Sequence, residues 1–145
     1  MVKAIIFDFS RTLYDPDAKS LEPGALAVLK YLSKKYPLGL LSKKGDGNRD
    51  GLFESLGIRG YFKAVIIVEE KSAGSFFDCA NLLGIPTAET LAVGDQVKKD
   101  VALAKQAGCA TAWLCKGKFA VVLPESVEET PDYTIEKLEE ILEIA

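Results

Sequence analysis

Histidine is absent from the 145 residues. Every mechanism that needs an imidazole base or an imidazole metal ligand is therefore excluded, Ser-His-Asp and Cys-His catalysis among them. Cysteine is sparse. Cys79, Cys109 and Cys115 form no C-x-x-C pair, so they suggest neither a zinc site nor a disulfide framework but reduced, buried thiols. Asn and Gln are rare beside the 18 Lys and Arg and the 21 Asp and Glu, the compositional drift of a heat-adapted protein. No apolar run approaches the roughly 20 residues of a spanning helix; stretches such as Ala64 to Val68 are short. The opening Met1-Val2-Lys3-Ala4 has no long apolar core and no small-residue cleavage site, so no signal peptide is read and a cytoplasmic location is expected. Net charge is −3, with the acidic excess between Glu125 and Glu143, and no basic footprint of a nucleic-acid binder is present. An enzyme of this composition works with carboxylates, lysines, hydroxyls or a hard metal ion.

The chain is 48% hydrophobic and 27% charged, as expected of one globular domain. Short continuous apolar segments alternate with helical patterns. Strands are expected at Ala4–Phe7, Pro37–Leu41, Ala64–Val68, Leu91–Val93 and Thr111–Leu114, with a sixth at Asp132–Ile135. Helices are expected from Pro23 to about Lys35 with Leu26, Val28, Leu29 and Leu32 facing the core, at 49–56, at Ala73–Leu83, at Val97–Ala107 and at Glu136–Ile144. Ile135, Leu138, Ile141 and Leu142 are expected to pack that last segment inward. Lys116 to Pro131 reads as an irregular surface excursion. Alternating strands and helices predict an α/β fold: three layers, doubly wound and Rossmann-like, with a central parallel sheet of five to six strands. Strands that are apolar throughout fit a sheet covered on both faces.

In such a sheet ligands bind beyond the carboxyl ends of the strands. There the chain delivers Asp8, then Ser42, then Glu69, Glu70 and Lys71, then Asp95 with Asp100 beyond it. Carboxylates, a hydroxyl and a lysine without histidine form the donor set of a magnesium and phosphate site. Each residue also has a plainer role open to it. Asp8 could cap a turn and Asp95 could cap the helix that follows it. Ser42 could be an ordinary loop serine, Lys63 competes with Lys71, and Lys43-Lys44 reads as a solvated loop.

Four segments in order resemble the haloacid dehalogenase-like (HAD) hydrolase superfamily. They are Asp8-Phe9-Ser10-Arg11-Thr12-Leu13, Leu40-Leu41-Ser42, Lys71-Ser72-Ala73-Gly74-Ser75-Phe76-Phe77 and Gly94-Asp95-Gln96-Val97-Lys98-Lys99-Asp100. The resemblance spans nearly the whole length, to Pro131-Asp132-Tyr133-Thr134-Ile135 and Leu138. It implies an aspartyl-phosphate on Asp8. It implies Mg²⁺ held by Asp8, the backbone carbonyl of Ser10 and Asp95. Ser42 and Lys71 would bind the phosphoryl oxygens, Asp100 would orient Lys71 or a metal-bound water, and Thr12 would support the first loop. The family's usual second Asp, the acid and base, is Ser10 here, and a serine hydroxyl is too weak an acid for that task. General acid–base help is worth about 10² to 10⁴-fold. The resemblance therefore leaves two readings open: a slow Mg²⁺-dependent phosphohydrolase, or a non-catalytic metal- and phosphate-binding or regulatory module. Asp15 to Pro23 is too short for a cap domain, as is the stretch between strands two and three. A single core domain over 1–145 with an open site is expected, suited to a small or macromolecular phosphorylated substrate, or to a homodimer in which a second copy covers the site. No membrane partner is expected.

Overall fold

The computed structural model describes the backbone of residues 1–145 and every side chain except that of Lys118. Six strands form one parallel sheet in the order β5-β4-β1-β6-β7-β8. They are β1 (Ala4–Asp8), β4 (Leu38–Lys43), β5 (Ala64–Val68), β6 (Thr90–Gly94), β7 (Ala110–Leu114) and β8 (Tyr133–Ile135), and a separate hairpin joins β2 (Tyr14–Asp15) to β3 (Ser20–Leu21). Helices α1 (Ala25–Leu32), α2 (Arg49–Ser55) and α5 (Ile141–Ile144) share one hydrophobic cluster with the sheet, and α3 (Ala73–Leu83) and α4 (Ala102–Ala107) share another. The pleat explains the division: Ile5 and Phe7 enter the first cluster, Ala4 and Ile6 the second. The expected three-layer α/β architecture is therefore present, with six strands.

The local signals that end elements behave as their chemistry dictates. Ser72 caps α3 reciprocally with Ser75, and Gly84 closes it at φ 73°. Several expectations need correction. β4 runs to Lys43, so Ser42 lies inside a strand, buried beside Leu41, and not in the loop after it. Leu26 is exposed because Ala25, Val28, Leu29 and Leu32 form the buried stripe of α1. Leu142 is exposed for the same angular reason beside buried Leu138 and Ile141. The C-terminal segment is a 3₁₀ turn at Leu138–Glu140 followed by the four-residue α5. The segment after β6 opens as a π turn, Val97–Val101, before α4 begins.

Register fixes which residues meet at the carboxyl edge. Asp8 lies opposite Leu41, one residue before Ser42, and Phe7 lies opposite Val93, two residues before Asp95. Sheet order reverses direction at β1, the central strand of the crevice.

Candidate active site

Beyond Asp8 the chain wraps into a compact turn. The Phe9 carbonyl accepts from the backbone N–H of Thr12, Leu13 and Tyr14 at 3.3, 2.9 and 3.0 Å. Arg11 takes φ 64° to make the bend, a region that side chains other than Gly rarely enter. The Phe9 ring is buried, stacked on Tyr14 at 4.8 Å between centroids and edge-on to Phe53 at 4.7 Å. This aromatic anchor fixes the strand end and leaves Asp8 and Ser10 facing a cleft. Thr12, fully buried, donates its hydroxyl to Asp8 Oδ2 at 3.0 Å.

Lys71 comes from the segment after β5 and donates to Asp8 Oδ1 at 2.5 Å and to Asp100 Oδ1 at 2.7 Å. Asp100 is held from the other side by the Gln96 N–H on its Oδ2 at 3.1 Å. Burial alone would push the Lys71 ammonium towards neutrality, but attraction to Asp100 and Asp8 more than reverses it, leaving its pKa raised. Asp100 is pushed up to about 6 by burial and by the charge of Asp8, partly offset by Lys71. Asp95 is sealed at 0% exposure, and neither carboxylate oxygen has a donor among the described residues. Burial and then repulsion from Asp8 and Asp100 push it up to about 9. Its backbone carbonyl accepts from Trp113 Nε1 at 3.0 Å.

Asp8, Asp95 and Asp100 can bring one carboxylate oxygen each within 4.8 Å of one another. This donor set fits a hard divalent cation, which carboxylate oxygens suit. Asp95 makes the fit specific. A buried carboxylate without a donor is costly unless it is protonated or meets a cation.

All seven residues singled out from the sequence therefore gather at one sheet edge. Ser42 lines the cleft, and its hydroxyl donates to the Lys43 carbonyl at 2.8 Å. Ser10 lines it too, while Thr12 and Asp95 sit behind it. Lys63, the rival of Lys71, is exposed at the opposite end of β5. Glu69 and Glu70 are exposed and pair with Lys44 and Lys43 at 3.5 and 3.3 Å. Gln96, Arg49, Lys43 and Lys99 also line the cleft. The two lysines and Arg49 were not assigned to it from the sequence. For Lys43 a signal existed, its place directly after Ser42 on the strand.

The family model for HAD-hydrolase-like proteins matches residues 71–141. The glyceraldehyde 3-phosphate phosphatase of Methanopyrus kandleri is 32% identical over 94 residues, covering 61% of this chain and 40% of its own length. The human N-acylneuraminate-9-phosphatase is 31% identical over 121 residues, covering 79% of this chain and 48% of its own. The chain thus spans about half the length of the curated relatives it matches. Among solved structures, a HAD phosphatase from Thermococcus onnurineus superposes with TM-score 0.81 at 17% identity over 99% of this chain and 97% of its own. A protein from Listeria monocytogenes gives 0.81 at 19% identity over 99% and 96%.

Proposed function

The chain belongs to the haloacid dehalogenase-like hydrolase superfamily, and on that footing we propose that it is a Mg²⁺-dependent phosphohydrolase acting through an aspartyl-phosphate on Asp8. The observation that carries this reading is the Asp8–Lys71–Asp100 chain set beside an unpartnered Asp95. Mg²⁺ bound by Asp8, the Ser10 carbonyl and Asp95 would supply charge neutralisation between the carboxylate and the phosphoryl group. The chain's own groups do the rest. Thr12 holds Oδ2 of Asp8, and Oδ1, which Lys71 also holds, is the oxygen left for attack on phosphorus. Asp8 forms a bond to phosphorus as the ester P–O bond breaks. Lys71, kept charged by Asp100, and Ser42 hold the phosphoryl oxygens. The Ser10 hydroxyl is too weak an acid to protonate the leaving oxygen, which takes its proton from solvent. Water then attacks phosphorus, releasing inorganic phosphate and restoring Asp8. The site serves a single core domain with an open cleft.

Ser10 favours a second reading: a module that accepts or binds a phosphoryl group and turns it over too slowly to be a general phosphatase. Hydrolysis of p-nitrophenyl phosphate with and without Mg²⁺ separates the two, because this leaving group needs little acid help. The phosphatase reading expects Mg²⁺-dependent turnover that disappears in Asp8→Asn and rises in Ser10→Asp by about 10² to 10⁴-fold, the usual worth of acid–base assistance. Activity seen only in Ser10→Asp supports the slow module. No turnover by any of the three overturns the enzyme reading.

A further inference from the structure

The chain has three arginines, Arg11, Arg49 and Arg59. Arg11 pairs with Asp17 and Arg59 with Asp50, each at 3.6 Å. Among the described residues Arg49 has no carboxylate partner, although it is half-buried and lines the catalytic cleft. Three neighbours hold it in place. Its Nε donates to the Lys43 carbonyl at 3.3 Å, and its guanidinium carbon stands 5.2 Å from the centroid of the Phe9 ring. Gly45 leaves it room, since a Cβ there would collide with its Nη2. A carbonyl, a ring and a glycine position the guanidinium without neutralising it. Its terminal N–H groups have no acceptor among the described residues.

The other cations of the cleft are engaged. Lys71 lies between Asp8 and Asp100 and serves the transferred phosphoryl group, and Lys43 and Lys99 share Glu70 at 3.3 and 3.8 Å. Arg49 is therefore the uncommitted cation of the lining. A guanidinium held as a planar fork suits bidentate capture of a carboxylate or phosphate. The contacts to the Lys43 carbonyl and the Phe9 ring favour this placement before a ligand arrives, and such preorganisation strengthens binding. On the phosphatase reading, Lys71 and Ser42 already meet the charge of the transferred phosphoryl group. A further fixed cation answers a further anion.

We infer that this site takes a phosphomonoester whose organic part carries a second anionic group, a carboxylate or another phosphate, and that Arg49 receives it. The inference rests on the phosphatase reading. It is tested by binding, with non-hydrolysable probes and Mg²⁺ present, so that turnover is not required. Calorimetry compares 4-carboxybenzylphosphonate with its neutral isostere 4-carbamoylbenzylphosphonate, and with p-xylylenediphosphonate as the second-phosphate case; the meta isomers cover a different spacing. The expected result is that one anionic probe binds about tenfold tighter than the neutral one, the scale of a charge-assisted hydrogen bond, and which one it is identifies the anion. Arg49→Gln is expected to bring that ratio close to one, and Arg49→Lys to leave it in between. Equal affinities in the wild type, a ratio unaltered in Arg49→Gln, or no binding of any probe overturns the inference. Hydrolysis of p-nitrophenyl phosphate reports on the phosphatase reading separately. Turnover without anion preference removes only the Arg49 subsite, and anion preference without turnover removes only the phosphatase.

Discussion

Asp95 spends folding free energy on a position that water does not reach, and that cost has a sign that can be measured. Its pKa is raised from 3.8 to about 9 in the folded chain, first by burial and then by the charges of Asp8 and Asp100. The folded state therefore keeps a proton that the unfolded state releases between about pH 4 and 9. Stability falls wherever the folded state binds more protons. Asp100, raised to about 6, acts in the same direction over a narrower window. Lys71, with its pKa raised, stays charged throughout and adds no slope. Thermal melts in EDTA are expected to fall steadily from pH 5 to 9, and less steeply in Asp95→Asn. A bound divalent cation displaces that proton, so the stabilisation by Mg²⁺ is expected to grow across the same window. A melting temperature in EDTA that rises with pH through this range would sink the account. At Thr12 the argument is simpler. Thr12→Val keeps the shape and removes the only side-chain donor to Asp8 Oδ2 among the described residues. Losing a hydrogen bond to a charged group costs about 1.5 to 3 kcal/mol, read here as a drop in kcat of tenfold or more on p-nitrophenyl phosphate with the fold intact by circular dichroism.

Between β6 and α4 the chain makes its least ordinary turn. The Gln96 carbonyl accepts from both the Asp100 and the Val101 N–H, at 2.9 and 3.2 Å. This widened π turn sets Asp100 against Lys71. It also packs Val97 and Val101 on Trp113, whose indole N–H holds the Asp95 carbonyl. Gly94 is required here for space: a Cβ would lie 2.5 Å from Cβ and Cγ of Asp100. Gly94→Ala is expected to destabilise by about 1 to 3 kcal/mol, the usual cost of overpacking, seen as a lower urea midpoint. Trp113 is the single tryptophan, so its fluorescence is expected to change saturably on Mg²⁺ titration of wild type and not of Asp95→Asn. The π turn was not legible in the sequence because Val97-Lys98-Lys99-Asp100-Val101 has ordinary helical propensities. The partner that Asp100 meets there is tertiary: Lys71, 29 residues earlier in the chain, donates to it at 2.7 Å. α3 was legible to the residue, because Ser72 and Gly84 carry local capping chemistry that needs no distant partner. β2 and β3 are two residues each, too short for any periodicity to register.

The site belongs to the whole sheet, since Asp8, Ser42, Lys71 and Asp95 come from four chain segments that only the parallel order brings together. That convergence could be read in the sequence because the polar residue each apolar strand delivers lies at or just beyond the strand's carboxyl end. Arg49 could not be assigned in the same way. Its place depends on Phe9, forty residues earlier, and a charged residue after a Gly-rich loop looks like solvated surface until that ring is found beneath it. The same global dependence extends to the core. Cys79 lies under β4, where a Cβ on Gly39 would come within 2.6 Å of its sulfur. Burial pushes the Cys79 thiol up to about 12 and the Cys109 thiol up to about 11. A thiol reacts as its thiolate, so at pH 8 neither is expected to react until the molecule opens. Cys115, half-buried at the edge of the third cluster, is expected to be the only one of the three modified rapidly by a thiol reagent in the native state. The other two then report the opening of the sheet and its covering helices. A ligand that binds only the folded state lowers the population of open molecules by mass action. Mg²⁺ is therefore expected to slow the modification of Cys79 and Cys109 without changing that of Cys115. Modification of Cys79 at a rate independent of Mg²⁺, while Trp113 reports saturable binding, would show that α3 opens separately from the metal-binding edge.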